Sequence, residues 1–267
     1  MITALILIPG LLMVAVGIVA AAYWYRKKHS KMIYFAAGAL FWVAAIAIKV
    51  IMDLTISVPL NTWLGTSLPV AAAILAAGLY VGLRTGLLEC GAVYLGARYT
   101  KLKNMSFDDA VAVGIGFGGI EAVALGLLTF VNAAALLLMP ELVATLPASA
   151  LVQYELLLLP LPFIERVFVL FTHVFVTVLA IYAVKLADLK WLGISVVFKT
   201  VLDGALPLFA YYLGTMGATM YFLTEGYVVL VGVIALAGLY WFRKKYGSAS
   251  TAPKAGETTR LNGSPQM

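Results

Sequence analysis

The chain has 267 residues, of which 63% are hydrophobic and only 11% are charged, whereas an ordinary soluble domain is roughly a quarter charged. This composition excludes a soluble globular protein and predicts an all-α, polytopic membrane protein. The formal net charge of +6 does not indicate nucleic acid binding, because the Lys and Arg residues lie in short loops between apolar runs.

About seven apolar stretches can cross a bilayer, which takes about 20 residues as a helix. The first has its basic residues after it and none before it, which favours an uncleaved helix over a signal peptide. The predicted spans are near 2–24, 32–53, 66–100, 107–128, 163–186, 191–213 and 220–242. The stretch 66–100 is long for one upright helix and short for two, so a broken helix and a helix with a re-entrant segment both stay open.

The basic residues predict one orientation, because Lys and Arg in short loops favour the cytoplasmic side. They follow the first span and also lie near 98–103, 185–190 and 243–245. The remaining loops carry no Lys or Arg and lie near 54–65, 138–162 and 214–219. We therefore expect a multi-pass protein of the cell membrane with its amino terminus outside and its carboxyl terminus inside. The proline-rich segment 138–162 is too irregular to span and is expected to form a lid on the outer face.

The chain divides into two predicted parts. Residues 1–246 form a transmembrane helical domain, embedded in the lipid bilayer. Residues 247–267 are rich in Gly, Ser, Thr and Pro, cannot bury enough apolar surface to fold, and are predicted to be a disordered cytoplasmic tail. The single cysteine, Cys90, lies inside an apolar run, which excludes a disulfide framework.

Several titratable residues fall inside the predicted spans, where a charge at the helix centre costs roughly 2.5–3.5 kcal/mol unless it has a partner or a task. Counted at about 1.5 Å per residue, they lie close to one level of the membrane. Glu89 and Glu121 have no obvious local cation and border glycine stripes, so they are the main functional candidates. The other residues at this level are His173, Lys199 and Asp203, while Glu165 and Arg166 lie near the end of their span.

Residue spacing predicts two ion pairs within helices. Lys199 and Asp203 are four residues apart and can pair directly on the sixth span. Lys49 and Asp53 have the same spacing near the outer end of the second span, where we expect a structural pair that reaches the interface.

His173 is either a buried hydrogen-bonding strut or a ligand. Together with Glu89 and Glu121 it could hold a divalent metal such as zinc, since imidazole and carboxylate groups are acceptable ligands. The chain contains only two histidines, too few to indicate from the ligand set which metal, if any, is bound. Glu165 and Arg166 are either interface anchors or members of the cluster.

The order of these segments resembles the YhfC family of intramembrane peptidases, related to the PrsW and CAAX prenyl endopeptidase group. The similarity covers most of the membrane portion. Its carriers are GLRTGLLECGAVY at 82–94, GIGFGGIEA at 114–122, the pair Glu165 and Arg166 with FTH at 171–173, and KTVLD at 199–203. The resemblance implies that Glu89 is a general base, with Glu121 and His173 completing the catalytic site.

The sequence departs from the family pattern at chemically important positions. Cys90 replaces a second glutamate, Val93 replaces an arginine, and Phe117 and Lys199 each stand where the pattern has histidine. One hypothesis is therefore a peptidase fold that has lost its activity, a pseudoenzyme that binds a transmembrane helix or a lipidated peptide.

Two other hypotheses stay open from the sequence. The first is an active membrane endopeptidase, of glutamate type or metal-dependent, which cleaves a transmembrane or lipidated peptide. The second is a membrane transporter or proton relay that uses the mid-bilayer carboxylates.

Overall fold

The computed structural model describes residues 3–247, except for the side chains of Ala148 and Ser149. Apart from Gly247, the predicted disordered tail lies outside the described residues. The α-helices are α1 (Ile8–Lys28), α2 (Met32–Met52), α3 (Val58–Ser67), α4 (Val70–Tyr99), α5 (Phe107–Leu138), α6 (Glu141–Thr145), α7 (Ala148–Leu151), α8 (Leu161–Lys185), α9 (Lys190–Leu213) and α10 (Ala218–Tyr246). Within residues 3–247, seven helical stretches are long and apolar enough to cross a membrane, which confirms the predicted all-α polytopic fold.

The difficult stretch near 66–100 forms one unbroken helix. Helix α4 has 30 residues, and at about 1.5 Å per residue it is longer than the hydrocarbon core of a bilayer is thick. A tilt of the helix accommodates such an excess of length. The structure therefore contains neither the break nor the re-entrant segment that the sequence left open.

The expected loop near 54–65 is helical instead. A π-helical turn, Asp53–Ser57, continues α2 into α3. Pro59 is the second residue of α3 and directly follows the π-helical turn, whose irregular hydrogen bonding accommodates a residue without a backbone N–H. The irregular turn and the favourable proline position together allow the helical path to continue as far as Ser67.

Helix α8 is the central helix of the bundle. It packs against α1, α4, α5, α9 and α10, and its membrane segment is the most buried of the seven. Helix α1 packs on α5, α2 on α5, and α4 on α9 around this centre. Side chains that project from α8 therefore meet side chains from several helices at once.

The two ends of the bundle differ in character. At one end, which we call the basic end, lie Lys28, Arg98, Lys185 and Arg243 near the ends of their helices. At the opposite end, residues 139–160 form an irregular segment with two short α-helices and one short 3-10 helix, which we call the cap segment. Its apolar side chains pack against the first residues of the described chain and the end of α5. The cap segment has the irregular form predicted for it, while the side of the membrane on which it lies stays a prediction.

Close packing between helices depends on a few glycines. A methyl group on Gly38 would overlap the carbonyl oxygen of Val113, so any larger residue there would push α2 away from α5. Gly82 of α4 lies against the backbone of α9 at Thr200 and Gly204 in the same way. This contact brings the polar residues of α4 and α9 within reach of each other.

The contact of α4 with α9 gives a prediction with an internal control. We expect Gly82→Ala to lower the free energy of unfolding by about 1–3 kcal/mol, because the added methyl group overlaps the Thr200 carbonyl. Gly91→Ala changes the same helix at a position with open space around it, and should be neutral or stabilising by up to about 1 kcal/mol. Denaturant unfolding in detergent measures both changes. Equal effects of the two substitutions would contradict the packing account.

Candidate functional site

A buried ion pair joins α4 to α9 in the middle of the bundle. The Lys199 ammonium nitrogen lies 3.3 Å from Oε2 of Glu89 and 3.1 Å from Oδ2 of Asp203. The side chains of Lys199 and Glu89 are each only 3% exposed. The predicted pairing of Lys199 with Asp203 is confirmed, and Lys199 also binds a carboxylate of a second helix.

A second ammonium group approaches Glu89 from α2. The Nζ atom of Lys49 donates a hydrogen bond of 2.6 Å to Oε1 of Glu89. The predicted pairing of Lys49 with Asp53 is therefore wrong, and Asp53 instead binds Arg84 and accepts a hydrogen bond from Ser57. The backbone N–H of Asp53 still bonds to the carbonyl of Lys49, so the α-helical spacing holds, but the Lys49 side chain reaches across to Glu89 of α4 instead.

Glu121 on α5 has partners from α2 and α8. Its Oε1 accepts a hydrogen bond of 2.9 Å from Arg166, and its Oε2 accepts one of 2.9 Å from the indole N–H of Trp42. The guanidinium group of Arg166 also pairs with Glu165. Of the two alternatives left open for Glu165 and Arg166, the geometry places both in the cluster.

His173 lies between the two glutamates. Its Nε2 atom is 3.1 Å from Oε2 of Glu121, and its Nδ1 atom is 3.8 Å from Oε2 of Glu89. The imidazole is 1% exposed, and neither nitrogen makes a well-directed hydrogen bond to any described side chain. The ring of Phe117 packs on the imidazole with a centroid distance of 5.0 Å. His173 therefore connects the two carboxylates, and Phe117 covers one of its faces.

All of these groups form one site, which we call the polar cluster. Its members are Lys49, Glu89, Glu121, Glu165, Arg166, His173, Lys199 and Asp203. The four carboxylates face three permanent cations, which leaves one negative charge without a partner unless His173 carries a proton. The predicted site residues are thus brought together in space, while their catalytic roles stay predictions.

A cleft leads to the polar cluster between α2, α4, α5 and α9. Its volume is about 500 Å³. Charged groups of the cluster form part of its lining, and the rest is mainly apolar, including Ile46, Val81 and Leu206. Pro207 also lines the cleft, and since proline has no backbone N–H, the carbonyl of Asp203 lacks its usual helical donor. The cleft therefore offers charged groups and a freed backbone acceptor beside an apolar surface.

These features define a multi-pass helical membrane protein with a charged site buried inside its transmembrane domain. The sequence model of the YhfC intramembrane metalloprotease family matches residues 12–228 of this chain. The chain therefore belongs to that family, and family membership supports a membrane peptidase fold. No curated protein and no solved structure matches the chain.

The family description implies a metal, and the residues of the cluster do not fit one. Both oxygens of Glu89 contact ammonium groups, and both oxygens of Glu121 contact Arg166, Trp42 or His173. Within residues 3–247, no group of three His, Cys, Asp or Glu side chains is arranged to hold a metal ion. A catalytic zinc usually needs three such ligands, so the cluster as folded is a network of ion pairs.

One member of the polar cluster, Lys49, and one residue that contacts the cluster, Trp42, were not identified from the sequence. Lys49 lies inside the second span with its side chain 12% exposed, and a cation at that depth is itself the signal that could have placed it in the cluster. Trp42 carried no such signal, because tryptophan is common in membrane helices and its indole N–H becomes informative only once Glu121 is seen beside it.

The central ion pair predicts a coupled loss of stability. Lys199→Met leaves Asp203 without its ion-pair partner and removes one of two ammonium groups from Glu89, so unfolding should become easier by about 3 kcal/mol. The double variant Lys199→Met/Asp203→Asn should lose less than the sum of the two single changes. Chemical unfolding in detergent gives all three values.

The exposed pair of Lys190 and Asp188 supplies the matched control, since Lys190→Met breaks a pair in water and should change stability little. If Lys199→Met proved as mild as Lys190→Met, the buried pair would not have the importance given to it here.

Proposed function

We propose that this protein is a member of the YhfC family that has lost metal-dependent peptide hydrolysis and binds a transmembrane segment or a lipidated peptide in its cleft. The observation that carries the proposal is the position of the Lys199 ammonium group between Glu89 and Asp203. A cation that belongs to the chain already neutralises the carboxylates that a catalytic metal would need. The ammonium group balances the negative charge of the carboxylates as a metal ion would. It offers no coordination position for water or a peptide carbonyl.

The packing of Phe117 supports the same proposal. A hydrolytic site needs a water molecule within hydrogen-bond reach of its general base. On the side of Glu89 that faces His173, the space enclosed with Phe117 has no room for a water molecule. On the side that faces the cleft, Lys49 and Lys199 direct their ammonium groups at both carboxylate oxygens. Glu89 is therefore held as an ion-pair partner and is poorly placed to activate water.

The shape and chemistry of the cleft support peptide binding. Ligand pockets are commonly of about 300–1,000 Å³ with mainly apolar walls and a few polar groups, and the cleft falls in that class. An unwound or extended membrane peptide exposes backbone N–H and C=O groups that lipid cannot satisfy. Those groups can form hydrogen bonds with the side chains of Lys49 and Asp203 and with the freed backbone carbonyl of Asp203. The apolar wall contacts side chains or a lipid chain.

A transporter or proton relay has less support. Such a function needs a polar path that continues from the cluster to the other side of the membrane. Between the cluster and the basic end, the bundle is packed with large apolar and aromatic side chains, including Phe107, Tyr182, Trp191 and Phe242. The cleft extends from the cluster in the opposite direction, toward the cap end.

The proposal is tested by crosslinking synthetic single-span peptides, with and without a lipid chain, to the purified protein in the presence of zinc. We expect the wild-type protein to capture peptide that is recovered intact. Ala210→Trp fills the mouth of the cleft and should strongly reduce capture. Val197→Trp, on an exposed part of the same helix, should leave capture unchanged. Cleavage of a peptide by the wild-type protein that stops in Glu89→Gln would show an active peptidase and defeat the proposal.

A further inference from the structure

A second cavity lies at the cap end of the bundle, away from the cleft. It is bounded by α1, α5, α8, α10 and the cap segment, and its volume is about 390 Å³. Of the residues that line the cleft, Leu125 is the one that also lines this cavity. We call it the cap cavity, and its volume is that of a pocket for a small ligand or a lipid head group.

The charged residues of the cap cavity favour a cation. Glu165 of α8 and Glu225 of α10 line it together with Arg166. The guanidinium group of Arg166 bonds to Glu121 and Glu165 through its two terminal nitrogens, and its buried Nε makes no hydrogen bond to any described group, Glu225 included. The Oε2 atom of Glu225 is buried and accepts no hydrogen bond from any described side chain. A buried carboxylate oxygen without a donor is costly, and a ligand with N–H groups would satisfy it.

The remaining lining has the layout of a site for an amphiphile. One wall is apolar and comes from the first helix and the residues before it, with Ile6, Pro9 and Met13. Tyr154 and Tyr221 also line the cavity, and tyrosine hydroxyl groups can donate hydrogen bonds to phosphate oxygens. Carboxylate, hydroxyl donors and an apolar wall therefore occur in one cavity at the end of a bundle that crosses a bilayer.

From these observations we infer that the cap cavity binds the head group of an ethanolamine phospholipid, with its ammonium group at Glu225. A primary ammonium has three N–H donors, whereas the trimethylammonium group of choline has none. Membrane lipids reach this level of the bundle because lipid head groups lie at the ends of membrane-spanning helices. The cap cavity does not overlap the charged part of the cleft, so this inference and the proposed peptide binding can fail independently.

Lipid binding to the purified protein in phosphatidylcholine nanodiscs tests the inference. Phosphatidylethanolamine and its N-methylated forms are titrated in turn, and binding is measured by native mass spectrometry and by the shift in Tm. We expect phosphatidylethanolamine to bind roughly tenfold more tightly than phosphatidylcholine, the value of one hydrogen bond to a charged group. Affinity should fall with each added methyl group, a result that needs no variant of the protein.

Two substitutions and two soluble amines complete the experiment. Glu225→Gln should abolish the preference for the primary amine, while Glu141→Gln, an exposed carboxylate of the cap segment, should retain it. Equal affinity of the wild-type protein for both phospholipids, or a preference that survives Glu225→Gln, would overturn the inference. Free ethanolamine or a peptide amine that binds as tightly as the phospholipid would overturn the assignment to a lipid.

Discussion

Lys199 provides the positive charge on which the polar cluster depends. Its ammonium group lies between Glu89 and Asp203, and each of these three groups alone would be expensive to bury in a membrane. Lys49 neutralises the other oxygen of Glu89 from a third helix. The ion pairs can form because α4 and α9 approach closely, and that approach requires a glycine at position 82. Helix packing and charge compensation are therefore two parts of one arrangement.

This arrangement explains how a chain can belong to a metalloprotease family without a recognisable metal site in its described residues. A divalent metal and a pair of ammonium groups can both balance carboxylates, but an ammonium has no coordination position for water or a peptide carbonyl. Phe117 closes the neighbouring space by packing on His173. In the proposed function, the fold and the carboxylates are kept without metal chemistry, and the cleft beside them binds a membrane peptide.

The sequence predicted features that lie within one helix better than contacts between helices. Long apolar runs predicted the membrane spans because bilayer thickness sets the length of such a run. Spacing within a helix predicted the pair of Lys199 with Asp203, since both lie on one helix. The same rule was wrong for Lys49 and Asp53, because it cannot see that Glu89 and Arg84 of another helix lie beside them and pair with them instead. Contacts between helices depend on the rotation of each helix about its axis and on the angle at which it crosses its neighbours. Neither can be inferred from a single sequence.

The most direct test of the account is the zinc content of purified protein after incubation with excess zinc and removal of the unbound metal. The account predicts no stoichiometric zinc in the wild-type protein. It predicts about one zinc ion per chain in Phe117→His/Lys199→His, where two imidazoles join His173 and Glu89 as ligands. Phe117→Asn/Lys199→Asn is the matched control and should bind no more than the wild type. One zinc ion per wild-type chain that is lost in both Glu89→Gln and His173→Asn would contradict the account.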